Sequence, residues 1–171
     1  KRELLRDLEL LIIDEVSMVR CDALDAMDAI LRYFRSKPDR PFGGVQVLFI
    51  GDLFQLPPVM PDGEWSLLRE YYQSPFFFHA RVIEQAPPVY IELKEIYRQS
   101  EQRFINILNN IRNNQASEND LGILNAKFGI EPVEGKNYIT LTSHNYKADR
   151  INQEELKKLP GKLYEFKGAI E

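Results

Sequence analysis

Leu10-Leu11-Ile12-Ile13-Asp14-Glu15-Val16-Ser17-Met18 is the stretch that decides how this chain is read. Four consecutive aliphatic residues predict a short strand buried on both faces, as in a parallel sheet covered by helices. The strand runs straight into two adjacent carboxylates, which are costly to desolvate unless something cationic meets them. In open α/β sheets the carboxyl ends of the strands are where ligands bind. The pattern therefore predicts a metal-nucleotide site. On these residues alone a solvated acidic turn after an apolar strand is an equal reading.

Downstream, Leu24, Met27, Leu31 and Phe34 recur at helical spacing and predict a helix over about Asp22–Arg35, with Asp22 as its cap. Its end is basic, with Arg32, Arg35, Lys37 and Arg40 close together. That cluster either faces DNA or complements the helix dipole, and the second reading is the favoured one. Pro41-Phe42-Gly43-Gly44 then turns the chain into a second apolar strand, Val45–Ile50. This strand also ends in a carboxylate, in Gly51-Asp52, followed by Leu53-Phe54-Gln55-Leu56-Pro57-Pro58-Val59. Gly51 permits a tight exit, and the two prolines stiffen the backbone after Gln55. Two strands that both terminate in carboxylates predict a shared site at one edge of a sheet.

Asp14-Glu15-Val16-Ser17-Met18, followed at this distance by Gly51-Asp52-Leu53-Phe54-Gln55-Leu56-Pro57-Pro58-Val59, resembles motifs II and III of superfamily 1 DNA helicases of the PIF/RecD-like group. Tyr97-Arg98-Gln99 resembles motif IV of the same group. It precedes a helix predicted over Glu101–Asn114, with Ser100 as cap and a buried stripe of Phe104, Ile107, Leu108 and Ile111. The resemblance implies an α/β chain with a partial RecA-like P-loop NTPase fold: a mainly parallel sheet flanked by helices, lacking the Walker A strand. Residues 1–136 would be the C-terminal part of the first RecA-like domain and residues 137–171 the start of the second.

The resemblance also implies roles. Asp14 would hold Mg²⁺ on ATP, and Glu15 would orient and polarise the attacking water. Gln55 would sense the γ-phosphate, and Arg98 would bring positive charge to the transition state. Thr142, His144, Asn145 and, more weakly, Asn152 would contact single-stranded DNA. Ordinary N-capping by Asn145 explains the same residues equally well. The implied cofactors are Mg²⁺ and ATP, and the implied partners are single-stranded DNA and duplex junctions, with unwinding 5′ to 3′ in DNA repair and recombination.

The remaining segments predict ordinary structure. Asp62–Tyr72 reads as a short helix, Val89–Leu93 as a strand and Ser117–Ala126 as a small helix opened by the capping box Ser117-x-x-Asp120. Pro75-Phe76-Phe77-Phe78-His79-Ala80 offers aromatic faces for bases, but reads mainly as core, with His79 structural. Tyr138–Thr142 reads as a strand leading into a helix through about Leu159, and Leu163–Glu171 as one more short strand at most. Gly129, Gly135, Lys136 and Asn137 do not make a phosphate loop: the spacing is one residue too long, and Asn137 lacks the hydroxyl needed on magnesium.

Composition bounds the rest. With 44% hydrophobic and 28% charged residues in 171, this is a globular chain and not a disordered one. The single cysteine, Cys21, excludes an intramolecular disulfide and fits a reducing compartment, which points to a cytoplasmic, nucleic-acid-associated protein. No apolar run is long enough to span a membrane. The net charge of -4 makes no global case for nucleic acid, so DNA contact must be local. No Gly-x-x-x-x-Gly-Lys-Ser/Thr occurs, and position 1 is not Met, so the chain is expected to be an internal piece of a longer helicase, inactive without the remainder. Two other readings stay open: another RecA-like ATPase, or a non-catalytic adaptor built on a helicase-like core.

Overall fold

Two aliphatic runs, Leu10–Ile13 (β1) and Gln46–Phe49 (β2), pair in parallel, with Leu10 opposite Gln46 and Ile13 opposite Phe49. The structure is a computed structural model that describes residues 2–130, 138–162, 164, 166 and 168. Its Cα packing divides the chain into two compact units, Lys1–Gln115 and Ala116–Glu171.

In the first unit a parallel pair needs a crossover, and the helix Cys21–Phe34 (α2) supplies it after a short lead-in helix, Arg2–Asp7 (α1). Cys21, Leu24, Asp28 and Leu31 form the buried stripe of α2, packed with Ile13, Val16, Phe42 and Val45. Met27, expected in that stripe, is exposed, and the carboxylate of Asp28 takes the inner position. The helix is entered from Arg20, not capped by Asp22 as expected. The Asp22 carboxylate instead accepts the Arg20 guanidinium at 2.9 and 2.8 Å, which lowers the Asp22 pKa. Arg20 also pairs with Glu64 on the helix Asp62–Leu68 (α3).

Strand burial corrects the expectation of two fully covered strands. Successive side chains point to opposite faces, and here Ile13 is buried and Leu11, Val47 and Phe49 pack against the core, while Leu10, Ile12 and Leu48 stay exposed. Both faces are apolar, so the sequence reads as doubly buried, but α2 and the turn after it cover one face only.

The basic end of α2 is taken up by the fold. Arg32 Nε donates to both Asp28 oxygens at 2.9 and 2.7 Å, while its Nη1 and Nη2 donate to the Pro38 carbonyl and the Gln85 side-chain oxygen. Arg35 donates to the carbonyls of Arg6, Leu8 and Gly43, so it closes the C-terminal end of α1. The aromatic run is only partly core: Phe77 packs against the core, Phe76 is half-buried and Phe78 is exposed, because the rings stack on one another as well as on β2. Phe77 stacks on Phe49 at 5.9 Å, Phe76 stacks on Phe78 at 5.3 Å, and His79 Nδ1 sits 2.5 Å from the Ser74 hydroxyl. Asp25 then anchors the helix Arg81–Gln85 (α4) by accepting from the Arg81 and Val82 amides.

The strand expected at Val89–Leu93 is absent. Val89, Ile91 and Leu93 are extended outward at 78–90% exposure with no neighbouring strand among the described residues to pair with. The next helix, Gln102–Arg112 (α5), starts from Glu101 and not from Ser100. Of its predicted stripe, Ile107 is buried and Phe104 half-buried, whereas Leu108 and Ile111 are exposed.

In the second unit Ser117 opens the helix Glu118–Asn125 (α6) with the expected capping box. Its hydroxyl accepts from the Asp120 amide at 3.2 Å, and Asp120 accepts from the Ser117 amide at 2.9 Å. The helix Asn145–Lys158 (α7) follows. The strand expected over Tyr138–Thr142 is absent, with Ile139 and Leu141 both 92% exposed. Residues 131–137, which include Gly135, Lys136, Asn137 and the expected domain boundary, and most of Leu163–Glu171 lie outside the described residues. Among the described residues no helix is long and apolar enough to cross a membrane.

Candidate functional site

The exits of β1 and β2 are tied together beyond the strands themselves. The Ile50 amide donates to the Ile13 carbonyl and the Val16 amide to the Ile50 carbonyl, both at 2.9 Å. Gly51 makes this approach possible: a Cβ there would lie 2.9 Å from the Val16 nitrogen and 3.3 Å from the Ser17 nitrogen. The ladder thus lays Asp14-Glu15 beside Gly51-Asp52, the shared edge that two carboxylate-ending strands predict.

Glu15 occupies the left-handed backbone region, with φ 50° and ψ 42°, which is uncommon for a residue with a side chain. Asp14 holds it there by accepting the Glu15 amide on Oδ1 at 2.8 Å, and a 3₁₀ turn over Val16–Met18 follows at once. Backbone strain of this sort collects at functional sites, where surrounding bonds over-determine it. Both carboxylates are exposed to solvent, and Asp14 Oδ2 has no hydrogen bond among the described residues.

After β2 the chain is organised by Asp52. Its Oδ1 accepts from the Phe54 amide at 3.1 Å and from Arg112 Nη2 at 3.0 Å, while Oδ2 accepts from the Gln55 side-chain amide at 3.2 Å. The Gln55 backbone amide also donates to the Asp52 carbonyl at 3.0 Å. The Arg112 guanidinium lies 5.0 Å from the centre of the Phe54 ring. Sequence reasoning marks Asp52 only as a strand-end carboxylate and misses Arg112 altogether, because the two lie 60 residues apart and no local pattern links them.

Arg98 is placed differently. It is exposed in the segment without regular structure ahead of α5, and no hydrogen bond or ion pair joins it to Asp14, Glu15 or Gln55. The structure therefore sets Asp14 and Glu15 side by side on the exit of β1 and Gln55 on the loop after the adjacent β2, and among the described residues no hydrogen bond joins Gln55 to either carboxylate.

Among the described residues no three His, Cys, Asp or Glu side chains gather into a metal cage. Asp14 offers one exposed carboxylate with an uncommitted oxygen. That donor suits Mg²⁺, which keeps several waters and binds through one or two carboxylates plus phosphate oxygens. The residues present fit a magnesium nucleotide and no all-protein metal site.

In the second unit three of the four residues expected to face DNA, Thr142, His144 and Asn145, lie at the start of α7. The Thr142 hydroxyl donates to the His144 carbonyl at 2.8 Å and accepts from its amide at 3.4 Å, and Ser143 Oγ lies 2.8 Å from His144 Nδ1. His144 holds the cap position without a side-chain bond to the helix, so Asn145 is the first helical residue and not the cap. Asn152 lies seven residues further on, two turns along the same face as Asn145. Both asparagines are exposed.

Comparison with known proteins identifies the family of the chain. The family model described as PIF1-like helicase matches residues 1–121, a span that contains Asp14, Glu15, Gln55, Arg98 and Arg112. Over 160 residues the chain is 34% identical to the ATP-dependent DNA helicase PIF1 of Mus musculus, covering 91% of this chain and 23% of that protein. It is 36% identical over 163 residues to the ATP-dependent DNA helicase RRM3 of Saccharomyces cerevisiae, covering 94% of this chain and 21% of that one. The crystal structure of a Pif1 helicase from Bacteroides in complex with ADP-AlF3 and ssDNA matches with a TM-score of 0.81 at 43% identity, over 94% of this chain and 38% of that chain. The chain spans less than a quarter of the length of these curated relatives. The parallel β1–β2 pair and its flanking helices are part of a RecA-like core, and the chain belongs to the PIF1-like helicase family.

Proposed function

We propose that the chain is the central section of an ATP-dependent DNA helicase and supplies one half of its magnesium-ATP site. The observation that carries this reading is the Val16–Ile50 bond, which sets Asp14 and Glu15 beside the loop of Gln55. The mouse and yeast relatives are named ATP-dependent DNA helicases, and the Bacteroides relative is described in complex with ADP-AlF3 and ssDNA.

In this reading Asp14 would hold Mg²⁺, which when bound would supply positive charge against the phosphate oxygens. Glu15 orients the attacking water and draws its proton. Gln55 gives up its bond to Asp52 and donates the same amide to the γ-phosphate. Arg98, exposed and unpaired among the described residues, is available to bring positive charge from its segment. Residues 1–136 complete the first RecA-like domain, and residues 137–171 begin the second. There Thr142, His144, Asn145 and Asn152 contact single-stranded DNA, whose translocation 5′ to 3′ unwinds duplex junctions.

The test is ATP hydrolysis by the full-length protein beside residues 1–171 alone. The full-length protein hydrolyses ATP with Mg²⁺ and does so faster on single-stranded DNA, while residues 1–171 turn over none. Magnesium-dependent turnover by pure 1–171 would show that these residues hold a whole active site and not half of one.

A further inference from the structure

We infer that Arg112 is a positioning residue for ATP turnover, acting through Asp52 to hold the loop that carries Gln55. The inference rests on the proposed role of Gln55 and adds a residue from a different element to it.

The loop after β2 is not held by burial. Leu53 is 51% and Phe54 67% exposed, and Gln55 is exposed as well. Its anchors are polar, and they converge on Asp52, which gathers the Phe54 amide, the Gln55 side chain and Arg112 on two carboxylate oxygens. Of these three partners only Arg112 comes from outside the loop. It is the last residue of α5 and takes hold of the loop twice, by the ion pair to Asp52 and by lying over the Phe54 ring. A planar guanidinium can do both at once, whereas a lysine ammonium keeps only the charge.

The division of labour between the two carboxylate oxygens matters for the reaction. Gln55 bonds Oδ2, and Arg112 bonds Oδ1. When the Gln55 amide leaves for a phosphate, Asp52 keeps its cationic partner on the other oxygen, so the carboxylate need not follow the amide or find a new donor. Without Arg112 the same exchange would leave the half-buried Asp52 with only a backbone amide, and the loop with no tie to α5.

The ion pair is too exposed to matter much for folding, with side-chain exposures of 48% for Arg112 and 22% for Asp52. Pairs of this kind add little stability. An effect of Arg112 on turnover is therefore separable from an effect on folding.

The test is steady-state ATPase of the full-length protein on single-stranded DNA, with variants Arg112→Ala, Arg112→Lys, Gln55→Ala and the Arg112→Ala/Gln55→Ala double. Arg112→Ala lowers kcat by roughly 10- to 100-fold, the scale set by a small misplacement of a catalytic group. Its nucleotide KM changes by less than about 3-fold, and Tm moves by no more than about 2 °C. Arg112→Lys recovers part of the loss. The double variant is no slower than Gln55→Ala alone, because both changes disable one device. Wild-type kcat in Arg112→Ala alongside a slow Gln55→Ala would overturn the inference and leave the role of Gln55 intact. Losses that multiply in the double variant would overturn it too. Unchanged turnover in Gln55→Ala would instead overturn the reading of Gln55, and the role of Arg112 with it.

Discussion

Val16 donates its amide to the Ile50 carbonyl at 2.9 Å, three residues beyond the last paired residue of β1 and one beyond that of β2. This bond, and not the strands alone, fixes where the acidic exit of β1 stands relative to the loop after β2. It also leaves no room over Gly51.

The first prediction concerns that space. In Gly51→Ala the new methyl meets the Val16 nitrogen at 2.9 Å and the Val16 Cγ1 at 3.0 Å, and the nearer obstacle is backbone that cannot swing aside. Forced overpacking costs about 1–3 kcal/mol. The variant should lower the urea midpoint accordingly and slow ATP turnover of the full-length protein. An unchanged midpoint would mean that the two exits are not packed together.

A second prediction concerns the centre of the first unit. Asp28 is buried, accepts Arg32 on both oxygens and takes the Phe42 amide at 2.5 Å. Removing the carboxylate takes the only charged partner among the described residues from Arg32, whose side chain is only 17% exposed and keeps just the neutral Pro38 carbonyl and Gln85, and it leaves the Phe42 amide without its acceptor. Breaking a buried pair from one side costs about 3–5 kcal/mol. Equilibrium unfolding of Asp28→Ala should show a loss of that size, and a loss below about 1 kcal/mol would place the pair among surface ones.

Alkaline pH should act through Tyr72. Burial, and then its hydrogen bond to Asp25 at 2.9 Å, push the phenol up from 10.0 to about 12. The raised value means that the folded state keeps its proton where the unfolded chain loses it. The stabilisation is therefore complete below pH 10 and disappears as the pH climbs toward 12. Unfolding free energy measured across that window should fall in the wild type and fall less in Tyr72→Phe. Parallel curves would remove Tyr72 from the account.

The elements that could be read from the sequence are those whose causes are local. The aliphatic run of β1, the helical spacing of Leu24 and Leu31, and the pairing of Ser117 with Asp120 each need only neighbours a few residues away. Val89–Leu93 and Tyr138–Thr142 have equally strand-like composition, but a strand exists only beside a partner, and no pattern within the run announces one. The exposed face of Leu10, Ile12 and Leu48 is hidden from sequence for the same reason, since an apolar side chain does not report whether it is covered. At the site, Asp14, Glu15 and Gln55 stand out by position after apolar strands and by resemblance. The anchoring of Gln55 by Asp52 and Arg112 depends on a contact across 60 residues, which spacing cannot encode. Asp22 failed as a cap because Arg20, two residues before it, captures its carboxylate.

Glu15, held in a left-handed backbone conformation beside Asp14, carries the central claim, and Glu15→Gln in the full-length protein tests it most directly. The substitution keeps the side chain's size and removes its ability to take a proton from water. With magnesium and single-stranded DNA present, the variant should bind ATP as the wild type does and hydrolyse none of it. Undiminished hydrolysis in Glu15→Gln would contradict the account.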